Sequence, residues 1–178
     1  FTEDYIATIG ASMVKIQYND KITGDSTWFY LWDTAGEEKY RSLAPVYFQD
    51  SESVIIVYDV SNEESFSNVK TWYQLYKDNT PKYDEHKVLI VGNKIDLRES
   101  GQTENNSTSD QSKQSEFIDT SIGEALADKL GCEHIEVSAK TGKNIELIVE
   151  KMVEYSKLIN SNKEESILTP VQKKSDCC

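Results

Sequence analysis

The chain has 178 residues, 38% of them apolar, enough for one domain with a real core. Its formal charge is −12 and its pI is near 4.6, which argues against non-specific nucleic-acid binding and a broad basic membrane patch. One internal cysteine (Cys132) and a terminal pair (Cys177, Cys178) make no disulfide framework and point to a reducing compartment. The longest aliphatic runs, near Val54–Val57 and Val88–Val91, are too short to span a bilayer.

Ala11–Tyr18 and Thr27–Trp32 alternate like strands around a turn-rich stretch holding Gly24, which predicts an antiparallel hairpin. Val54–Tyr58 is continuously apolar, as interior strands of a parallel sheet are. Ser61-Asn62-Glu63-Glu64 reads as a capping box that opens a helix with Phe66, Val69, Tyr73 and Tyr76 at helical spacing. Val88–Val91 is the next buried strand. Residues 99–116 contain no aliphatic or aromatic side chain and read as a disordered polar insertion, unable to offset its ordering entropy. Ile118–Leu130 predicts a helix stopped by Gly131, and His134–Val137 a short strand. Ile145, Ile148, Val149, Met152 and Ile159 line a last helix. Residues 161–178 read as a flexible tail. The alternation of buried strands and helices implies an α/β fold with right-handed crossovers over residues 1–160.

Three polar loops follow predicted strands, and open α/β sheets bind ligands beyond the carboxyl ends of their strands. In Asp33-Thr34-Ala35-Gly36-Glu37-Glu38, the Asp can hold magnesium beside phosphates, and Gly36 lets a backbone N–H approach a terminal phosphate. Read alone, the same stretch is also an ordinary strand-to-helix turn. In Asn93-Lys94-Ile95-Asp96, the Asp96 carboxylate accepts only, and guanine presents two donors on one edge where adenine does not. The Lys94 stem can lie over base or sugar. A solvated polar loop is the plain alternative. In Ser138-Ala139-Lys140, small residues let backbone N–H groups reach a ligand carbonyl, a weak signal alone. Upstream, Thr8-Ile9-Gly10 offers a hydroxyl that can ligate magnesium and order a switch loop, or be a plain loop threonine. His86 and His134 sit in no ligand-spaced cluster. Cys132 reads as a buried small residue, and Trp28 and Trp72 as packing residues.

In order and spacing these motifs resemble the Ras superfamily and, within it, the Rab family, over roughly residues 6–160 and the last two residues. Rab-type stretches are Ile9–Met13, Tyr30–Asp33, Lys39–Leu43 and Ile56–Val60; Ile9–Ser12 and Ser42–Tyr47 resemble the early-endosomal subgroup. The resemblance implies a P-loop NTPase (Ras-like) α/β fold with a mixed, mostly parallel sheet. It implies a GTP/GDP switch with Mg²⁺ that hydrolyses GTP and regulates vesicle traffic on the cytoplasmic face of an endomembrane. Nucleotide contacts fall on Thr8, Asp33, Thr34, Ala35, Gly36, Asn93, Lys94, Asp96, Ser138, Ala139 and Lys140, and metal contacts on Thr8 and Asp33. Met13, Trp32 and Tyr47 correspond to an apolar effector-facing trio, with Met13 where the family usually has Phe; core packing is the alternative reading. The implied partners are effectors, an exchange factor, a GTPase-activating protein and a prenyl-binding escort or GDP-dissociation inhibitor. Cys177 and Cys178 match lipidated cysteines, and two chains give a stable membrane anchor where one is marginal.

Two departures stand out. No G-x-x-x-x-G-K-[ST] occurs, so the strand, phosphate loop and helix that precede Phe1 in the family are expected to belong to a longer protein or to be truly lost. Losing three or more charge-assisted bonds to phosphate weakens binding by roughly 10⁴-fold or more. The chain by itself is therefore expected to be unstable or nucleotide-free. Second, Glu37 replaces the family's water-orienting Gln; carboxylate accepts but cannot donate, so hydrolysis is expected to change. These departures support an alternative: a nucleotide-binding-deficient, membrane-tethered Rab-like adaptor.

Overall fold

The structure, a computed structural model, describes residues 8, 10–20, 24, 26–36, 38–49, 51–80, 87–104 and 117–168. Strands β1 (Ala11–Asn19) and β2 (Ser26–Thr34) form the expected hairpin, antiparallel from Ala11 opposite Thr34 to Asn19 opposite Ser26. Gly24, at φ +76°, donates to Asp20 O across the turn. A 3₁₀ turn (Glu38–Leu43) leads into the short helix α1 (Ala44–Phe48), which sequence periodicity did not predict. Strand β3 (Ser53–Asp59), helix α2 (Glu63–Asn79), strand β4 (Lys87–Asn93), helices α3 (Ile95–Glu104) and α4 (Thr120–Leu130), strand β5 (Glu133–Glu136) and helix α5 (Ile145–Leu168) follow.

The capping box is displaced by one residue. Asn62, not Ser61, caps α2: its side chain accepts from Ser65 N, while Ser61 donates to Asp59 Oδ1. A carboxylate at the strand end engages Ser61 and leaves Asn62, an equally good cap, to act. Likewise α4 starts at Thr120, because Asp119 caps it and Ile118 N is already bonded to Val60 O; Gly131, in the left-handed region, ends it as expected. The polar stretch at 99–116 is not wholly irregular: α3 runs to Glu104, and residues 105–116 lie outside the described set. Helix α5 extends to Leu168, into the segment read as tail.

Strands β3, β4 and β5 form a parallel sheet, β4 in the middle. Side chains on β4 alternate between two clusters. Val88 and Ile90 join Ile56, Tyr58, Val69, Tyr76 and Leu126 beneath α2 and α4, while Leu89 and Val91 join Val137, Ile148 and Tyr155 beneath α5. Burial on both faces explains the unbroken apolar run. The hairpin is a separate sheet, and β2 does not pair with β3. The resemblance implies that the strand expected before Phe1 lies between these two in the sheet, and the division falls there. Val14, Leu31 and Val57 are about half exposed beside it. Lys157 on α5 pairs with Asp20 at the hairpin tip, 3.0 Å apart.

Candidate nucleotide site

At the carboxyl end of the parallel sheet, β4 and β5 deliver their loops side by side. Val137 N donates to Gly92 O, and Ile95 N donates to Val137 O, so the two loops are tied by backbone bonds before any side chain acts. The Asn93 side-chain oxygen accepts from Ala139 N at 3.0 Å. Ser138, fully buried, donates its hydroxyl to Asp96 Oδ1 at 2.6 Å and accepts from Thr141 N at 3.1 Å. Both hydrogen-bonding roles of that hydroxyl are thus used, and they orient the carboxylate. Asp96 Oδ2 has no hydrogen bond among the described residues. Gly142 (φ +80°) and Asn144 (φ +61°) turn the chain back so that Ser138 N reaches Lys143 O.

Lys94 adopts φ +69°, uncommon for a residue with a side chain, and its ammonium pairs with Asp59 Oδ2 at 2.7 Å. Burial of Asp59 opposes ionisation, but the bonds from Lys94 and Ser61 outweigh it and hold the carboxyl below its usual range. Sequence reasoning missed the Asp59 partnership, because nothing in the local pattern pairs the ends of β3 and β4.

A second cluster lies at the end of β2. Thr8 Oγ1 donates to Asp33 Oδ2 at 3.3 Å, and Ala35 N donates to Gly10 O at 2.9 Å. Ala35 is buried, Thr34 half-buried and Gly36 exposed. The hydroxyl and carboxylate are hard oxygen donors suited to magnesium, an ion that keeps several waters and needs few protein ligands. Among the described residues no hydrogen bond joins this cluster to that around Asp96. Lys140 is exposed, and Glu37, Cys177, Cys178 and His86 lie outside the described residues.

Met13 and Trp32 face each other across the hairpin, both about half exposed, and the Trp32 and Tyr47 rings lie 5.6 Å apart. Two members of the trio are thus half exposed, and Tyr47, half-buried, packs beside Trp32. Trp28, read as a packing residue, is half exposed instead, with the Lys15 ammonium 4.1 Å over its ring. Trp72 does pack against the core, and Arg41 lies over it. Cys132 is half-buried, and burial pushes its thiol up to about 11, away from nucleophilic use.

A family profile described as Ras family matches residues 1–157. Ras-related protein SEC4 of Saccharomyces cerevisiae is 31% identical over all of this chain and 80% of its own length. Ras-related protein RIC1 of Oryza sativa is 32% identical over all of the chain and 84% of its own. Human Ras-related protein Rab-3A is 34% identical over 86% of the chain, which spans 61% of that relative's length. The α/β core, the loops at its strand ends and these matches define a small GTPase. The chain belongs to the Ras family, on its Rab branch. Ras-family GTPases bind GTP and GDP with magnesium.

Proposed function

We propose that this protein is a Rab-type switch that binds guanine nucleotide, hydrolyses GTP and recruits effectors to an endomembrane during vesicle traffic. What carries the reading is the Ser138–Asp96 hydrogen bond, with Asn93 tied to Ala139 beside it. The arrangement presents a fixed carboxylate to a ligand edge that must donate, which guanine does through N1–H and its 2-amino group. Small backbone at Ala139 leaves room for the base carbonyl. Lys94 would exchange its Asp59 partner for the face of the base or sugar. Thr8 and Asp33 would hold magnesium, which neutralises phosphate charge when bound. Gly36 would give its N–H to the terminal phosphate, and Glu37 would hold the attacking water. Met13, Trp32 and Tyr47 would meet the effector. Cys177 and Cys178 would carry the lipid anchor.

The test is phosphate release from GTP by the full-length protein with magnesium, before and after Glu37→Gln. Release that changes with that substitution and disappears in Asp33→Ala supports the reading. No release from any of them contradicts the enzymatic half. The second reading, a tethered adaptor without turnover, draws on Glu37 and on the absence of a phosphate loop within residues 1–178. It is favoured if the full-length protein sits on membranes yet releases no phosphate.

A further inference from the structure

We propose that Arg98 is a positioning residue for guanine recognition, acting through Asp96 and Ser138; the proposal rests on the nucleotide reading above. Arg98 stands two residues beyond Asp96 in α3, and Glu136 two residues before Ser138 in β5. Their side chains meet fork to fork: Nη1 donates to Glu136 Oε2 and Nη2 to Oε1, both at 2.9 Å. Thr120 Oγ1 accepts from Arg98 Nη1 and donates to Glu136 Oε2, each at 2.9 Å. Arg98 Nη2 also donates to Ile118 O at 2.5 Å. The two charged side chains are only 20% and 14% exposed, so this is not a solvent-screened surface pair.

The placement gives the clamp its purpose. Asp96 and Ser138 touch at the ligand end of their two elements, and Arg98–Glu136 joins the same elements again one step away. In sequence, α3 runs on from Arg98 to Glu104, and Ile118 and Thr120 lie beyond residues 105–116. Arg98 thus ties the outgoing helix to the incoming backbone at Ile118 and to the first residue of α4. Without the fork, α3 would be tied to the β5 loop by the Ser138 hydroxyl, the Ile95 backbone bond and the exposed Glu99–Lys143 pair, and the carboxylate would lose part of its fixed aim. A lysine keeps the charge but not the bidentate geometry.

The readout is discrimination and not affinity alone. Inosine diphosphate lacks the 2-amino group, so the ratio of its Kd to that of GDP reports how well Asp96 engages both donors. The full-length protein, Arg98→Lys, Arg98→Met and Thr120→Val are titrated with each nucleotide, and thermal unfolding is followed in parallel. The wild type prefers GDP. In Arg98→Lys and Arg98→Met that preference falls about three- to tenfold, the loss of part of one charge-assisted bond; Thr120→Val falls between. Equal weakening of both nucleotides, with the ratio intact, overturns the proposal and leaves Arg98 a purely structural residue. Should Arg98→Met not fold, Arg98→Lys and Thr120→Val decide the question by the same ratio. If the wild type prefers GDP and the variants keep that preference, only this inference fails. If the wild type binds neither nucleotide, the guanine reading fails and takes this one with it.

Discussion

Recognition in this account comes down to single acceptors and donors. Asp96→Asn replaces an acceptor-only carboxylate with a group that also donates, so one guanine donor meets a donor. GDP affinity of the full-length protein should fall by about tenfold or more, while ADP binding improves, because no carboxylate is left unpaired against adenine; fluorescence titration reads both. Away from the ligand, His134 Nε2 lies 3.0 Å from the Tyr58 hydroxyl, among Glu136, Glu124 and Arg98. Burial lowers the His134 pKa below its ordinary value of 6.5, against the pull of Glu136 and Glu124. The same burial, with Glu136 nearby, pushes the Tyr58 hydroxyl up to about 12. The unfolded chain therefore takes up a proton that the folded one resists. His134 adds a stability term that is full above about pH 6.5 and declines as pH falls from there towards the folded value. His134→Gln should flatten that part of the stability–pH curve, read by urea unfolding at a series of pH values.

At the scale of elements, most of the sheet and its long helices were legible because periodicity reports burial. The β4 run is apolar without interruption since both its faces are covered, and α2 carries its buried Val69, Tyr73 and Tyr76 at helical spacing. What periodicity could not report were contacts fixed by tertiary neighbours. Helix α1 has five residues, too few to show a period, and α3 begins inside the base-loop motif and carries polar side chains. The Asp59–Lys94 and Arg98–Glu136 pairs join residues 35 and 38 positions apart, which no local pattern links. The candidate loops themselves were legible from their place after predicted strands, and their hydrogen bonds were not. The start of α2 offers a direct check. Asn62→Ala should cost about 1 kcal/mol, the usual worth of a cap. Ser61→Ala, whose hydroxyl serves an exposed bond, should change stability by no more than about 0.5 kcal/mol; both are read by urea unfolding.

For the whole molecule, cohesion is uneven. The central strand β4 is covered on both faces, whereas β3 leaves Val57 open and the hairpin stands as its own sheet with an exposed aromatic side. Stability should follow that division. Leu89→Ala, at the centre of the covered sheet, should lower it by about 2–5 kcal/mol. Val57→Ala, on the open side of β3, should lower it by less than about 1 kcal/mol in residues 1–178. The Lys157–Asp20 pair bridges the two parts, but its ammonium is more than half exposed, and ion pairs open to solvent contribute only about 1 kcal/mol or less. The loops around Asp96 sit on the covered part, so guanine selectivity should be the most robust property of the protein.

That selectivity is measured most directly by equilibrium binding of labelled GDP and ADP to the full-length protein in magnesium. A site that must accept two hydrogen bonds should favour GDP by about 10³-fold or more, because adenine leaves the held carboxylate unpaired. Equal affinities, or a preference for ADP, would contradict the account.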